Sequence, residues 1–193
     1  PRMAIEPALA SIELDGIADI VSRVVTTLEN SLETTDELMF TLPACVIASL
    51  IGLPSLRMRG VAKLTRDFVG CLSPLSDETQ LNKAHSGAIH LSQIFSALLN
   101  DDKTDSALLT RILSESKAAE WADQEALIAN LIGLMSQTFE ATAGLIGNTL
   151  IALHRNPDLI EDGEPTPMLV AALVAEVARF DSPVQNTRRF VAK

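Results

Sequence analysis

Tyrosine is absent from this chain of 193 residues, tryptophan occurs once, and aromatic residues make up only 4%. So little aromatic area means that the core has to be aliphatic. The apolar share of 47% supplies that core, chiefly as Leu, Ala and Ile, and excludes a disordered chain. Leu and Ala favour helix. Val and Thr form no alternating runs, so no strand pattern of any length emerges. Positive charge is also scarce, with 15 Lys and Arg against 25 Asp and Glu and a formal net charge of −10. A protein that grips a duplex needs a basic face to neutralise phosphates, so nucleic acid is excluded as the expected partner. No Lys/Arg block offers itself to an anionic membrane surface either. There are two cysteines, Cys45 and Cys71, without a CxxC or a His at ligand spacing, and no metal site is expected. Cys45, in the apolar run PACVIASLIG, reads as a small buried residue. Cys71, after FVG, reads as a thiol at a helix end or in a loop. Two lone thiols suit a reducing cytosol, and a cytoplasmic protein is the expectation.

Long apolar runs are interrupted. Leu38 to Leu56 carries no charge over a membrane-spanning length, but Pro43, Gly52 and Pro54 break it. Arg2, Glu6 and Glu13 interrupt any signal-peptide pattern. What is present is helix after helix. In Ile12 to Leu32, the residues Ile17, Ile20, Val21, Val24, Val25 and Leu28 form one apolar stripe. TLPACVIASLIGLP follows, with Pro43 placed for a first turn and Gly52 for a C-terminal cap before Pro54. Leu56 to Phe68 reads as a further helix. Asp77 caps the next, Glu78 to Leu99, and a short one covers Asp105 to Ser114.

Asp123 then caps the longest element. No proline intervenes from Gln124 to His154, and Pro157 stops the pattern. At 1.5 Å per residue such a helix spans about 45 Å. Its residues are apolar on nearly all faces, which predicts a central axis buried on every side. Between Ala126 and Leu153 its sole charge is Glu140. A lone buried carboxylate costs several kcal/mol unless it is paired. Either it reaches solvent or finds a structural partner, or, with Gln137, Thr138 and Thr142 within one turn, it marks a bend or a ligand cavity. Pro165 and Pro167 open the last helix, which carries Glu176 and Arg179 at i, i+3 and ends at Asp181–Pro183. The surroundings, MLVAALVAEVARF, predict a buried pair that anchors a network rather than a surface pair.

Two segments together carry a resemblance. EVARFDSPVQNTRRF, from Glu176 to Phe190, resembles the ExxR helix and following strand of bacterial cytochromes P450, the haem-thiolate monooxygenases. FEATAGLIGNTLIALHRNPDLI, from Phe139 to Ile160, resembles the same family's long distal helix. TLPACVIASLIGLP and the opening RMAIEPALASIELDGI resemble segments further upstream, in the same order. The resemblance implies an all-α piece of the P450 fold, its central helical portion, as a single partial domain over 1–193.

The resemblance also implies roles. Glu176 and Arg179 match the structural ExxR pair. Arg189 matches the arginine that contacts a haem propionate, with Arg188 as its neighbour. Val184 and Asn186 fall where the family lines its pocket. Glu140 matches the acid that helps deliver protons. Ala141 stands where the family usually has a proton-relay Thr, with Thr142 next, which implies proton delivery assisted by substrate and water. Gln137 and Thr138 replace a small Ala-Gly pair beside the oxygen site. The cysteine of the family's glycine-rich ligand loop is matched by neither Cys45 nor Cys71. The expectation is therefore haem in the complete family fold and none bound by this chain alone. The implied partners are an organic substrate and a ferredoxin-type electron donor, with a homo-oligomer or partner protein covering the long helix. The alternative is a haem-free relative that activates a partner such as a glycosyltransferase.

Overall fold

The structure is a computed structural model and describes residues 2–12, 14–28, 34–101, 105–119, 123–160 and 165–183. Among these residues there are eight α-helices and no strand, as the sequence pattern predicts. The chain divides into two compact units, Pro1–Phe139 and Glu140–Lys193.

The first unit is a stack of helices around an aliphatic core. It opens with α1 (Arg2–Ala10) and α2 (Leu14–Leu28). The sequence pattern placed its first helix from Ile12 and did not single out α1; a turn at Ser11, whose hydroxyl donates to the Ala8 carbonyl, separates the two. The apolar stripe of α2 is real, and Val24 and Leu28 are its buried members. α3 (Thr35–Ile51) starts earlier than Pro43 suggests. Thr34 is its N-cap and accepts from the Glu37 amide, while Asp36 and Glu37 complement the dipole of the first turn. Pro43 thus lies inside the helix. Gly52 ends it with φ 96°, a left-handed conformation that glycine adopts without Cβ strain.

α4 (Ser55–Val69) and α5 (Glu78–Leu99) pack closely on one another. Asp77 caps α5 in a full capping box: its carboxylate accepts from the Gln80 amide, and the Gln80 side chain accepts from the Asp77 amide. The pair meets at Gly87, where an added Cβ would come 3.0 Å from the Leu64 carbonyl oxygen. α6 (Ala107–Ala118) is capped by Ser106, whose hydroxyl also donates to the Leu50 carbonyl near the end of α3 at 2.6 Å. One side chain therefore ties the start of α6 to the end of α3.

Asp123 begins α7 (Gln124–Arg155) by accepting from the Glu125 and Ala126 amides. The first half of α7 contributes Leu127, Leu131, Met135 and Phe139 to the first unit's core, beside Cys45, Ile51, Val61, Leu91 and Phe95. That spacing of four residues is one helix face. The prediction of cover on every side is corrected here: the full helix is present, but its buried residues form a stripe, and Glu140, Leu150 and Ile151 are exposed. An α-helix in contact with neighbours along one seam hides that seam only. The second unit continues with the rest of α7, a 3-10 turn at Pro157–Leu159, and α8 (Pro167–Phe180), capped by Thr166. Among the described residues no helix is long and apolar enough to cross a membrane.

Candidate functional site

The residues singled out by sequence fall into three groups. Gln137 and Thr138 lie near the end of the α7 half that belongs to the first unit, which Phe139 closes. Gln137 is exposed, and the Thr138 hydroxyl donates back to the Leu134 carbonyl at 2.8 Å and the Met135 carbonyl at 3.2 Å. Thr138 is thereby satisfied within its own helix turn. The division between the two units falls one residue further on, between Phe139 and Glu140. Phe139 stacks on Phe40 of α3, with ring centroids 5.1 Å apart and an interplanar angle of 38°. The Arg66 guanidinium sits 5.1 Å from the Phe40 centroid and bonds Asp36 at 2.8 Å.

Glu140, Ala141 and Thr142 open the second unit. Glu140 is exposed, whereas Ala141 and Thr142 are half-buried. Of the alternatives open for this lone acid, the structure selects the carboxylate that reaches solvent, and no desolvation penalty arises. Val184, Asn186, Arg188 and Arg189 lie outside the described residues.

Glu176 and Arg179 form the pair that their spacing predicts. Arg179 Nε donates to Glu176 Oε2 at 2.8 Å and Nη2 to Oε1 at 2.6 Å, a bidentate fork. The arginine's hydrogen bonds hold the Glu176 carboxyl below the usual carboxylate range, and the same bonds raise Arg179. The prediction of burial is corrected, because the side chains are 58% and 68% exposed. The apolar letters around the pair misled the reading: on α8 only Val177 is buried, and Glu176 and Arg179 turn away from it to the solvent side. Among the described residues no hydrogen bond or ion pair joins Glu140 to Glu176 or Arg179.

Two residues that the sequence pattern did not single out do join α7 to the end of α8. The Asn148 side chain donates from Nδ2 to the Asp181 carbonyl at 2.8 Å. Gly144 faces Pro183, so that a Cβ on Gly144 would lie 2.7 Å from the proline Cβ. The available signal was a polar Asn and a Gly four residues apart within an apolar helix. Beside them a groove of about 270 Å³ runs between the two helices, lined by Asn148, Ile151, Arg155, Leu173, Glu176 and Phe180 among others.

The described cysteines do not suit a haem iron. Cys45 is fully buried in the first unit's core, and desolvation pushes its thiol up to about 11, where the ligating thiolate is disfavoured. The Cys71 thiol, just past α4, donates to the Phe68 carbonyl at 3.0 Å. Among the described residues no cluster of His, Cys, Asp and Glu could hold a metal ion.

No family model matches the chain. It is 34% identical over 161 residues to the vitamin D(3) 25-hydroxylase of Pseudonocardia autotrophica, covering 81% of this chain and 38% of that protein. It is 24% identical over 193 residues to cytochrome P450 107B1 of Saccharopolyspora erythraea, covering 96% of this chain and 46% of the relative. Its structure matches the crystal structure of CalO2 with a TM-score of 0.75 and 19% identity, over 94% of this chain and 47% of CalO2. The chain thus spans less than half the length of these relatives. Relatives and fold agree with the order of the two motifs: this chain is a homologue of the bacterial cytochromes P450 and carries part of their fold.

Proposed function

We propose that the chain is the central segment, a single partial domain over 1–193, of a bacterial P450 monooxygenase that inserts one oxygen atom into an organic substrate, with haem as cofactor and a ferredoxin-type protein as electron donor. The observation that carries the reading is the bidentate Glu176–Arg179 pair on the helix that follows the long α7, in a chain 34% identical to a hydroxylase over 161 residues. In this reading Glu140 guides protons, Ala141 leaves the relay to water and substrate, and Thr142 stands beside it. Gln137 and Thr138 shape the pocket, with Val184 and Asn186 on its wall, and Arg188 or Arg189 holds an anionic propionate. The iron ligand is supplied by neither Cys45 nor Cys71, so the chain by itself carries out no oxygen insertion.

The test exchanges the corresponding segment of the Pseudonocardia hydroxylase for this chain. A soluble chimera showing the red-shifted carbonyl Soret band of a haem-thiolate supports the reading. A soluble, folded chimera without it, beside a hydroxylase that has it, overturns the reading. Gln137 and Thr138, bulkier than the small Ala-Gly pair of the resembling family beside the oxygen site, also favour a second reading, a haem-free relative that binds and activates a partner protein such as a glycosyltransferase. Thermal stabilisation of a glycosyltransferase by the purified chain, with no haem bound, is the outcome specific to it.

A further inference from the structure

A cavity of about 350 Å³ in the first unit carries charge that the fold does not use. Its wall is built from the turn between α1 and α2, from α2 itself, from the end of α3 and from the start of α6. Much of the wall is apolar, from Ile12, Ile20, Leu50 and Leu108. That is the make-up of a small-molecule site, roughly 300–1,000 Å³ of largely apolar wall with a few placed polar groups. Arg23 of α2 and Asp105, two residues before α6, put opposite charges on this wall. Among the described residues neither side chain makes a hydrogen bond or an ion pair, so the two charges do not neutralise each other. The Ser49 hydroxyl on the same wall is uncommitted in the same way. Both junctions of the wall are pinned. Ser11 donates to the Ala8 carbonyl at 2.7 Å in the α1–α2 turn. Ser106, beside Asp105, donates to the Leu50 carbonyl at 2.6 Å and accepts from the Leu109 amide at 3.0 Å. A wall fixed before a ligand arrives loses little freedom on binding.

We propose that this cavity binds a small amphipathic zwitterion, an α-amino acid with an apolar side chain. The carboxylate goes to Arg23, the ammonium to Asp105, and the side chain to the apolar wall of Ile20, Leu50 and Leu108. A neutral apolar molecule would leave both charges to water. A simple anion would meet Asp105 as a like charge, and a simple cation would meet Arg23. The planar guanidinium fork suits a carboxylate, to which it can donate two parallel N–H bonds. The Ser49 hydroxyl, both donor and acceptor, serves either end of the ligand.

Chemical-shift titration of the full chain in low-salt buffer tests the site with L-leucine, 4-methylpentanoate and 3-methylbutylamine. The last two are leucine without its ammonium and leucine without its carboxylate. Leucine saturates the shifts of the cavity amides with a Kd on the order of 1 mM for a ligand so small. Each half-molecule binds roughly fivefold more weakly, the worth of one exposed charge pair. Arg23→Gln weakens leucine and 4-methylpentanoate but not 3-methylbutylamine, and Asp105→Asn weakens leucine and 3-methylbutylamine but not 4-methylpentanoate. Gly16 lies on the same wall, where an added Cβ would meet nothing within 4 Å, so Gly16→Leu fills the cavity without a clash and removes binding of all three. No saturable shift with leucine, equal affinities for leucine and either half, a loss in Arg23→Gln that falls on all three compounds, or leucine binding that survives Gly16→Leu overturns the site. Arg23 and Asp105 are exposed, so their variants decide the matter even where Gly16→Leu fails to fold. The titration reads the chain alone and the chimera reads haem chemistry, so this site and the monooxygenase reading stand or fall separately.

Discussion

Two glycines in neighbouring helices, Gly60 of α4 and Gly87 of α5, ought to respond oppositely to the same substitution. Both lie in helix interiors, where alanine is favoured over glycine by about 1 kcal/mol. At Gly60 an added Cβ meets nothing within 4 Å, so Gly60→Ala gains that amount undiminished. At Gly87 the Cβ meets the Leu64 carbonyl oxygen at 3.0 Å, the Phe68 nitrogen at 3.5 Å and the Asp67 Cβ at 3.6 Å. The two nearest neighbours are backbone, and a helix backbone cannot swing aside as a flexible side chain would. The helices have to part, and overpacking of this kind costs about 1–3 kcal/mol. Gly87→Ala therefore comes out between neutral and about 2 kcal/mol less stable. The gap between the two variants equals the steric cost. Urea midpoints at unchanged slope measure the gap, and each kcal/mol shifts the melting temperature by about 2–4 °C in a chain of this size. Equal stabilisation by both substitutions would show that α4 and α5 do not approach each other at Gly87 as closely as 3.0 Å implies.

Cys45 contributes a pH dependence. Its folded-state value of about 11 lies above a thiol's ordinary 9.0, so the protonated thiol is favoured in the fold. That contribution is complete below about pH 9 and is lost as pH rises towards 11, an effect on the order of 2–3 kcal/mol. Urea titrations across that window in wild type and Cys45→Ala measure it, and parallel pH curves would contradict it. At neutral pH Cys45 should also resist a thiol reagent in the folded chain while Cys71 reacts. Asp77→Ala removes the capping box of α5 and should cost about 1 kcal/mol; an unchanged denaturant midpoint counts against the cap. Glu176→Ala should leave melting nearly unchanged, since the pair is solvated on both sides. A collapse of folding in that variant would restore the buried anchor that the sequence suggested.

The helical class, the length and start of α7, the cap at Asp77, the stop at Gly52 and the pairing of Glu176 with Arg179 were all legible in the letters. These features depend on neighbours three or four residues away, and short-range chemistry of that kind is written in the letters. The candidate site was legible as far as its motifs, through the resemblance of α7 and the Glu–Arg helix to one family. Which faces are covered came from the packing of the elements. It turned Glu176 and Arg179 to solvent within an apolar-looking segment, exposed Glu140, and restricted the burial of α7 to a stripe. It also brought Asn148 to Asp181 across 33 residues of sequence and set Pro183 against Gly144. Burial and such long-range contacts depend on where other elements pack, and the spacing of residues along one helix carries no record of that.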